Sequence, residues 1–229
     1  MWRVFFIAVS FCFSSLFAGE GMVIILNGPS AVGKSSIQKA LQEKSDKTFL
    51  RIGIDTFFDA LIETPDLGDF EKNGALQQYT KEGEHIRGIE RTLDKDGNIV
   101  VPLQIGPAGD QIIHGMHRAI DAYARSGNNV IVDYIQYKQE WSHDLYEAVR
   151  DRNVLFVGVH APLDIIETRE RERNTSPIGH SRTHYYTVHA GMNYDLEVDT
   201  SLSTPEECAQ EILNFIATRD AAQLELHSQ

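Results

Sequence analysis

The chain has 229 residues, 33 Asp+Glu against 21 Lys+Arg for a formal charge of −12, 42% hydrophobic and 24% charged residues. That size and balance suit one globular domain, or one domain with an inserted subdomain, and exclude disordered, collagen-like and disulfide-scaffold chains. So acidic a chain is a poor general binder of nucleic acid or anionic membrane, although a few local groups can still hold a small anion.

Residues 1–18, MWRVFFIAVSFCFSSLFA, carry one early cation, Arg3, then an apolar run closing on Ala18. The run is short for a bilayer span and fits a secretory leader, with Leu16 larger than such cleavage sites favour. The alternative is an untranslated extension ahead of Met22. The first case gives an exported protein, the second a cytoplasmic one. No later segment approaches membrane length, so the body is expected off the membrane. Cys12 lies in the leader and leaves Cys208 alone, so no intrachain disulfide is expected.

From Met22 the pattern alternates. MVIILN (22–27) is a continuous apolar run, the mark of a parallel strand covered on both faces. A helix follows over Ser35–Glu43, then strands at 50–55, 128–133, 153–159 and 195–200, with helices over 111–125, 140–149 and 204–217. Alternating strands and helices imply a parallel α/β sheet with right-handed crossovers. Two stretches interrupt it. Residues 64–108 are too long for an ordinary connection and contain one hairpin, RTLDK–DG–NIVV, turning at Asp96-Gly97. Residues 173–184 are polar and carry Pro177 and Gly179. Both read as flaps over the carboxyl edge of the sheet, where open α/β folds take their ligands.

Directly after the first strand stands GPSAVGKS (28–35), which fits G-x-x-x-x-G-K-[ST] between an apolar strand and an amphipathic helix. Gly28 and Gly33 let the backbone curl so that successive N–H groups face one concavity, and the helix adds its positive end there. Lys34 reaches β- and γ-phosphates and the Ser35 hydroxyl can hold Mg²⁺. A glycine turn with a solvent-facing lysine is the plain competitor, and the strand–loop–helix context argues against it. No N-K-x-D guanine reader is present, and DKDG (94–97) falls in the hairpin turn.

Asp55, at the end of the second strand, can take a proton from an acceptor hydroxyl or aim it at the γ-phosphate; its competitor is the N-cap of a helix TFFDALI. Asp133, ending the third strand, can hold Mg²⁺ through water, against a bland role as a turn aspartate. ETRERER (167–173) sets Arg169 and Arg173 at i and i+4, suited to a charge-stabilising lid, or else to an exposed helix of Glu/Arg pairs. His114 and His117 are three apart and His180, His184 and His189 surround the flap, but without an HExxH or paired-cysteine frame no transition-metal site is expected.

These residues together resemble the chloramphenicol phosphotransferase-like family, P-loop kinases related in fold to shikimate and adenylate kinases. The resemblance rests on ILNGPSAVGKSS (25–36), GID (53–55), GMHRAI (115–120), GNNVIVD (127–133), VLFVGVHAPLDIIETRERER (154–173) and YDLEVDTS (194–201). It implies a P-loop kinase-like three-layer α/β sandwich with a central, mostly parallel five-stranded sheet. The domain would span 22–217, with a 64–108 substrate cap, a 173–184 lid and a 218–229 tail. It implies ATP- and Mg²⁺-dependent phosphorylation of a small hydroxyl-bearing substrate, not a nucleic acid polymer. Gly28, Pro29, Ser30, Ala31, Val32, Gly33, Lys34, Ser35 and Ser36 would cradle the phosphates, with Asp55 as base and Asp133 beside the metal. Arg169 and Arg173 would be lid arginines, and Val198–Thr200 would lie near the adenine. Three departures stand out. Asn174, Thr175 and Ser176 follow Arg173 where the family often has Arg-Gly-Asp-Arg, leaving Arg182 as the remaining downstream cation expected to help hold the nucleotide. Tyr134 follows Asp133 where the family often has Asp or His, and the cap is longer than in compact members. A nucleotide binder without transfer activity, and a zeta-toxin-like nucleotide-sugar kinase, stay open on the sequence.

Overall fold

The computed structural model describes residues 19–59, 88–89 and 91–227. The leader-like residues 1–18, the first part of the expected cap and the last two residues of the tail lie outside them. Five strands make the central sheet: β1 (Met22–Asn27), β2 (Phe49–Gly53), β7 (Asn129–Tyr134), β8 (Asn153–His160) and β9 (Leu196–Asp199). Their order is β2-β7-β1-β8-β9, and every neighbouring pair is parallel.

β1 is buried along its whole length because both its faces are covered. Met22, Ile24 and Leu26 enter a core with Ile37, Ala40 and Leu41 of α1 (Lys34–Lys44) and Ala209 and Ile212 of the last helix. Val23 and Ile25 enter the opposite core, with Met116 and Ile120 of α3 (Pro107–Arg125) and Leu145 and Val149 of α4 (Gln139–Val149). Burying each of these large aliphatic side chains stabilises the fold by about 1.5–3 kcal/mol. The three layers follow from the period-two alternation of side chains along a strand covered on both sides.

A small excursion lies between β2 and α3. Short strands β3 (Gly88–Ile89) and β6 (Leu103–Gln104) pair antiparallel, as do β4 (Thr92–Leu93) and β5 (Ile99–Val100). The second pair is the expected hairpin: Asp94 Oδ1 accepts the N–H groups of Asp96 and Asn98, and Gly97 takes φ 80°.

Four boundaries differ from the sequence reading. β2 stops at Gly53, and α2 (Ile54–Asp59) begins at once. Asp55 therefore sits in the first turn of a helix and not at a strand end; Ile54 is buried against Ile105, Ile113 and Trp141, and that packing turns the chain early. α3 begins at Pro107, whose missing N–H costs nothing in a first turn. The 173–184 flap is half helical: α5 (Leu163–Arg173) ends at Asn174, and α6 (His180–Tyr185) follows. The closing helix α7 (Pro205–His227) runs on past Ala217, because no glycine or proline halts it and Arg219 ties it to the carbonyl of Val154 at 2.7 Å. Among the described residues no helix is long and apolar enough to cross a membrane.

Candidate active site

All five strands point their carboxyl ends to one edge of the sheet, and the loop leaving β1 opens there. Gly33 has φ 108°, a left-handed conformation that glycine takes without strain. Gly28 is required for another reason: a Cβ on it would stand 2.4 Å from the Val159 carbonyl oxygen. The two glycines thus split the role expected of both, one curling the loop and the other letting it pass β8. Ala31 is also left-handed, at φ 59°, a conformation that costs a non-glycine residue about 1–2 kcal/mol.

The N–H groups of Ser36 and Ile37 both return to the Gly33 carbonyl at 3.1 Å. Helix geometry leaves those of Lys34 and Ser35 with no acceptor inside α1, at the positive end of its dipole. Lys34 is 4% exposed. Its Nζ donates to the carbonyls of Gly28 (2.9 Å) and Pro29 (2.8 Å) and lies 3.4 Å from Asp133 Oδ1. Burial pushes its pKa below the ordinary lysine value, while the Asp133 carboxylate, and more weakly Asp55, favour the cation. The Ser35 hydroxyl donates to Asp133 Oδ2 at 2.7 Å.

These groups border a cleft of about 590 Å³. From the loop and α1, Ser30, Ala31, Gly33, Lys34, Ser35 and Ser36 line it; from other elements, Asp55, Asp133, Ile135, Arg169, Glu172, Arg173, Thr200 and Pro205 do. Gly28, Pro29 and Val32, expected at the phosphates, are not among these lining residues. Val32 is fully buried in the core, and Gly28 and Pro29 offer their carbonyls to Lys34. Arg173 Nη2 donates to the Ser30 hydroxyl at 3.3 Å. Arg169 is a fastener as well as a cleft residue: it donates to the Val32 carbonyl (3.3 Å), to Thr200 Oγ1 (2.8 Å) and to the Thr200 carbonyl (2.7 Å). Thr200 Oγ1 itself donates to Val32 at 2.6 Å, so the far end of β9 is sewn to the loop.

Arg182 does not line this cleft. Its Nε donates to Glu167 at 2.6 Å and its Nη1 stands 3.8 Å from Asp94, so α5 and the hairpin hold it. Asn174, where the resemblance expected a lid cation nearby, takes φ 47° and returns its N–H to the Glu170 carbonyl at 3.2 Å. It is the left-handed cap that ends α5, a position suited to asparagine.

Sequence reasoning missed several of the groups that support the cleft. Glu170, 1% exposed, accepts the N–H groups of Gly179 and Ser181 at 2.8 Å. His184, 3% exposed, accepts the N–H of Ser30 at 3.0 Å. Neither belongs to a local motif; a glutamate inside ETRERER could be suspected only because its neighbours are all charged. Elsewhere, His114, His117 and Asp144 bring ligand atoms within 4.8 Å of one another, a set that could hold a metal ion. Here the groups engage each other: both histidine Nδ1 atoms approach Asp144 Oδ2, at 2.8 and 2.6 Å, and Arg118 donates to both carboxylate oxygens. The trio ties α3 to α4.

Residues 21–217 match the family described as chloramphenicol phosphotransferase-like protein. The chain belongs to that family. A Mycobacterium tuberculosis protein provisionally named an O-phosphotransferase is 33% identical over 193 residues, covering 84% of this chain and 81% of the relative. Family and relative together support a phosphotransferase. Solved structures with the same fold include the gluconokinase of Sinorhizobium meliloti (TM-score 0.55, 19% identity, 93% of this chain and 99% of that one). Another is the Mycobacterium tuberculosis APS kinase in complex with AMPPNP and APS (TM-score 0.54, 16% identity, 86% and 98%). A third is the tunicamycin resistance protein of Deinococcus radiodurans (TM-score 0.53, 18% identity, 86% and 95%). The P-loop kinase fold is common to them and to this family member.

Proposed function

We propose that the protein transfers the γ-phosphoryl group of ATP to a hydroxyl of a small molecule. The observation that carries this reading is the meeting of Lys34, Ser35, Asp133, Asp55 and Arg173 around one cleft at the carboxyl edge of the sheet. The triphosphate lies along the loop, its charge met by the first amides of α1 and by Lys34. The adenine lies toward Thr200 and Pro205, the cleft wall farthest along the chain from the loop.

The Ser35 hydroxyl and Asp133 carboxylate are hard oxygen donors, and such donors fit Mg²⁺. Bound with the nucleotide, the ion would neutralise phosphate charge and favour departure of the β-phosphate oxygen. Asp55 accepts the proton of the acceptor hydroxyl as its oxygen bonds to the γ-phosphorus and the bond to the ADP oxygen breaks. Arg173, reaching from the end of α5, meets the charge spread over the moving phosphoryl oxygens.

The test is phosphate transfer from γ-labelled ATP with Mg²⁺ across a panel of hydroxyl acceptors, chloramphenicol among them. Labelled product that disappears in Lys34→Met is the expected result. Nucleotide binding with no labelled product across the panel would leave a binding protein without transfer, and the kinase reading would fall.

A further inference from the structure

One residue of the phosphate loop is gripped from three sides by the lid. Ser30 is 8% exposed. Its N–H donates to His184 Nε2 (3.0 Å), its carbonyl oxygen lies 3.0 Å from the Ser181 hydroxyl, and its own hydroxyl accepts from Arg173 (3.3 Å). His184 and Ser181 are both on α6, and Arg173 is the last residue of α5. The loop residue and its histidine partner are 154 positions apart.

α6 is itself held from behind. Glu170 accepts the Ser181 and Gly179 N–H groups, and the single Ser181 hydroxyl proton has two acceptors, Glu170 Oε1 at 2.6 Å and the Ser30 carbonyl at 3.0 Å. An imidazole nitrogen that accepts from an amide carries no proton, so His184 is neutral, protonated on Nδ1. Burial, and then the facing groups His180 and Lys34, hold its pKa well below the ordinary histidine value. Its Nδ1 is buried and faces only the backbone of His180 one turn earlier, and the Tyr137 and His180 rings lie edge-on at 5.0 and 4.9 Å. Among the described residues, the ring's one hydrogen bond beyond its own helix is thus to the loop.

We propose that His184 is a positioning residue for nucleotide binding: by accepting the Ser30 N–H it fixes the Pro29–Ser30 peptide plane and makes α6 and the phosphate loop a single rigid unit. This rests on the kinase reading of the cleft. The bond takes one amide of the loop away from phosphate, so the anion concavity begins after Ser30. Without the imidazole that buried amide would lose its acceptor, and the loop could turn it elsewhere, at the expense of the curl at Ala31.

Calorimetry with Mg-AMPPNP on the full chain tests the proposal, alongside thermal unfolding of each variant. His184→Leu removes the acceptor at similar volume and should weaken nucleotide affinity by about tenfold or more. His184→Gln, whose amide oxygen can stand where Nε2 stands, should recover most of that loss. Unchanged affinity in His184→Leu, or equal losses in the Leu and Gln variants, would overturn the proposal, because the acceptor atom would then not matter. If His184→Leu fails to fold, His184→Asn, too short to reach Ser30, replaces it. Tighter binding by Gln than by Asn supports the proposal, and equal binding overturns it. Absence of binding heat in the wild-type chain would remove the nucleotide site and this inference together, whereas a binding wild type with indifferent variants removes the inference alone.

Discussion

Ser35 and Asp133 meet hydroxyl to carboxylate across 2.7 Å, joining the first turn of α1 to the end of β7. Both are hard oxygen donors on the cleft wall, and Lys34 stands 3.4 Å from the same carboxylate. Replacing Asp133 by Asn removes charge while keeping shape. The Mg²⁺ concentration for half-maximal transfer should rise by about tenfold or more, since carboxylate charge sets much of the affinity for a hard cation. Magnesium titration at fixed ATP measures it; an unaltered requirement would show that Asp133 does not serve the metal.

Lys34→Met should lower transfer by about 10²–10³-fold, the scale of losing one charge-stabilising group at a transition state. Methionine fills the 4% exposed site but leaves the Gly28 and Pro29 carbonyls without their Nζ donor, so the thermal midpoint should fall by a few degrees at most while transfer collapses. Circular dichroism melting beside the labelled-ATP assay separates lost chemistry from lost fold.

Asp55→Asn should lower kcat by about 10²–10⁴-fold, as expected for removal of a general base. Nucleotide affinity should change little, because Asp55 is only a minor electrostatic partner of Lys34. A loss carried in KM for ATP instead would make Asp55 a binding residue.

The two arginines of α5 should fail differently. Arg173 makes one long bond to a hydroxyl, whereas Arg169 fastens Val32 and Thr200 by three. Arg173→Met should reduce kcat with the melting temperature preserved. Arg169→Met should lower the melting temperature by several degrees, about 1–3 kcal/mol for hydrogen bonds to a charged group. Differential scanning calorimetry and steady-state kinetics on both variants distinguish the roles.

His117 gives the fold a pH dependence. Its Nδ1 lies 2.6 Å from Asp144 Oδ2 and its Nε2 3.1 Å from the Tyr134 hydroxyl, in a fully buried site. Burial, against the pull of Asp144, pushes its pKa down to about 4. Burial would raise Asp144, but Arg118, His117 and His114 outweigh it and keep the carboxylate ionised throughout the window. Because the unfolded chain binds the histidine proton first, stability should fall as pH drops from about 6.5 to about 4, by on the order of 3 kcal/mol. Chemical denaturation at a series of pH values should give a shallower slope for His117→Gln than for wild type. His189, also pushed down to about 4 by burial, and His184, held well below the ordinary value, add to the slope that remains.

Much of the frame was legible because its signals are local. An unbroken apolar run announced β1, and the loop motif directly behind it announced the cleft. The end of β2 was misjudged because LRIGID keeps an alternating look through Ile54, and only packing against Trp141 reveals that Ile54 begins a helix. Arg182 looked available for nucleotide because its partners, Glu167 and Asp94, lie 15 and 88 positions before it. The supports of the loop were hidden for the same reason: nothing in the letters around Ser30 points to His184 or Ser181, whose meeting with it depends on how α5 turns at Asn174.

The loop's fastenings also bear on how the protein is made. Thr200 reaches Val32 from 168 residues downstream, and Asn27, beside the loop, binds the carbonyl of Val188 from 161 residues upstream. Synthesis runs from the amino end at about 5–20 residues per second. The motif therefore leaves the ribosome early and waits many seconds for β9 to arrive. A nascent chain stalled before Thr200 would display the glycines and lysine of the motif without the clasp that gives them their shape.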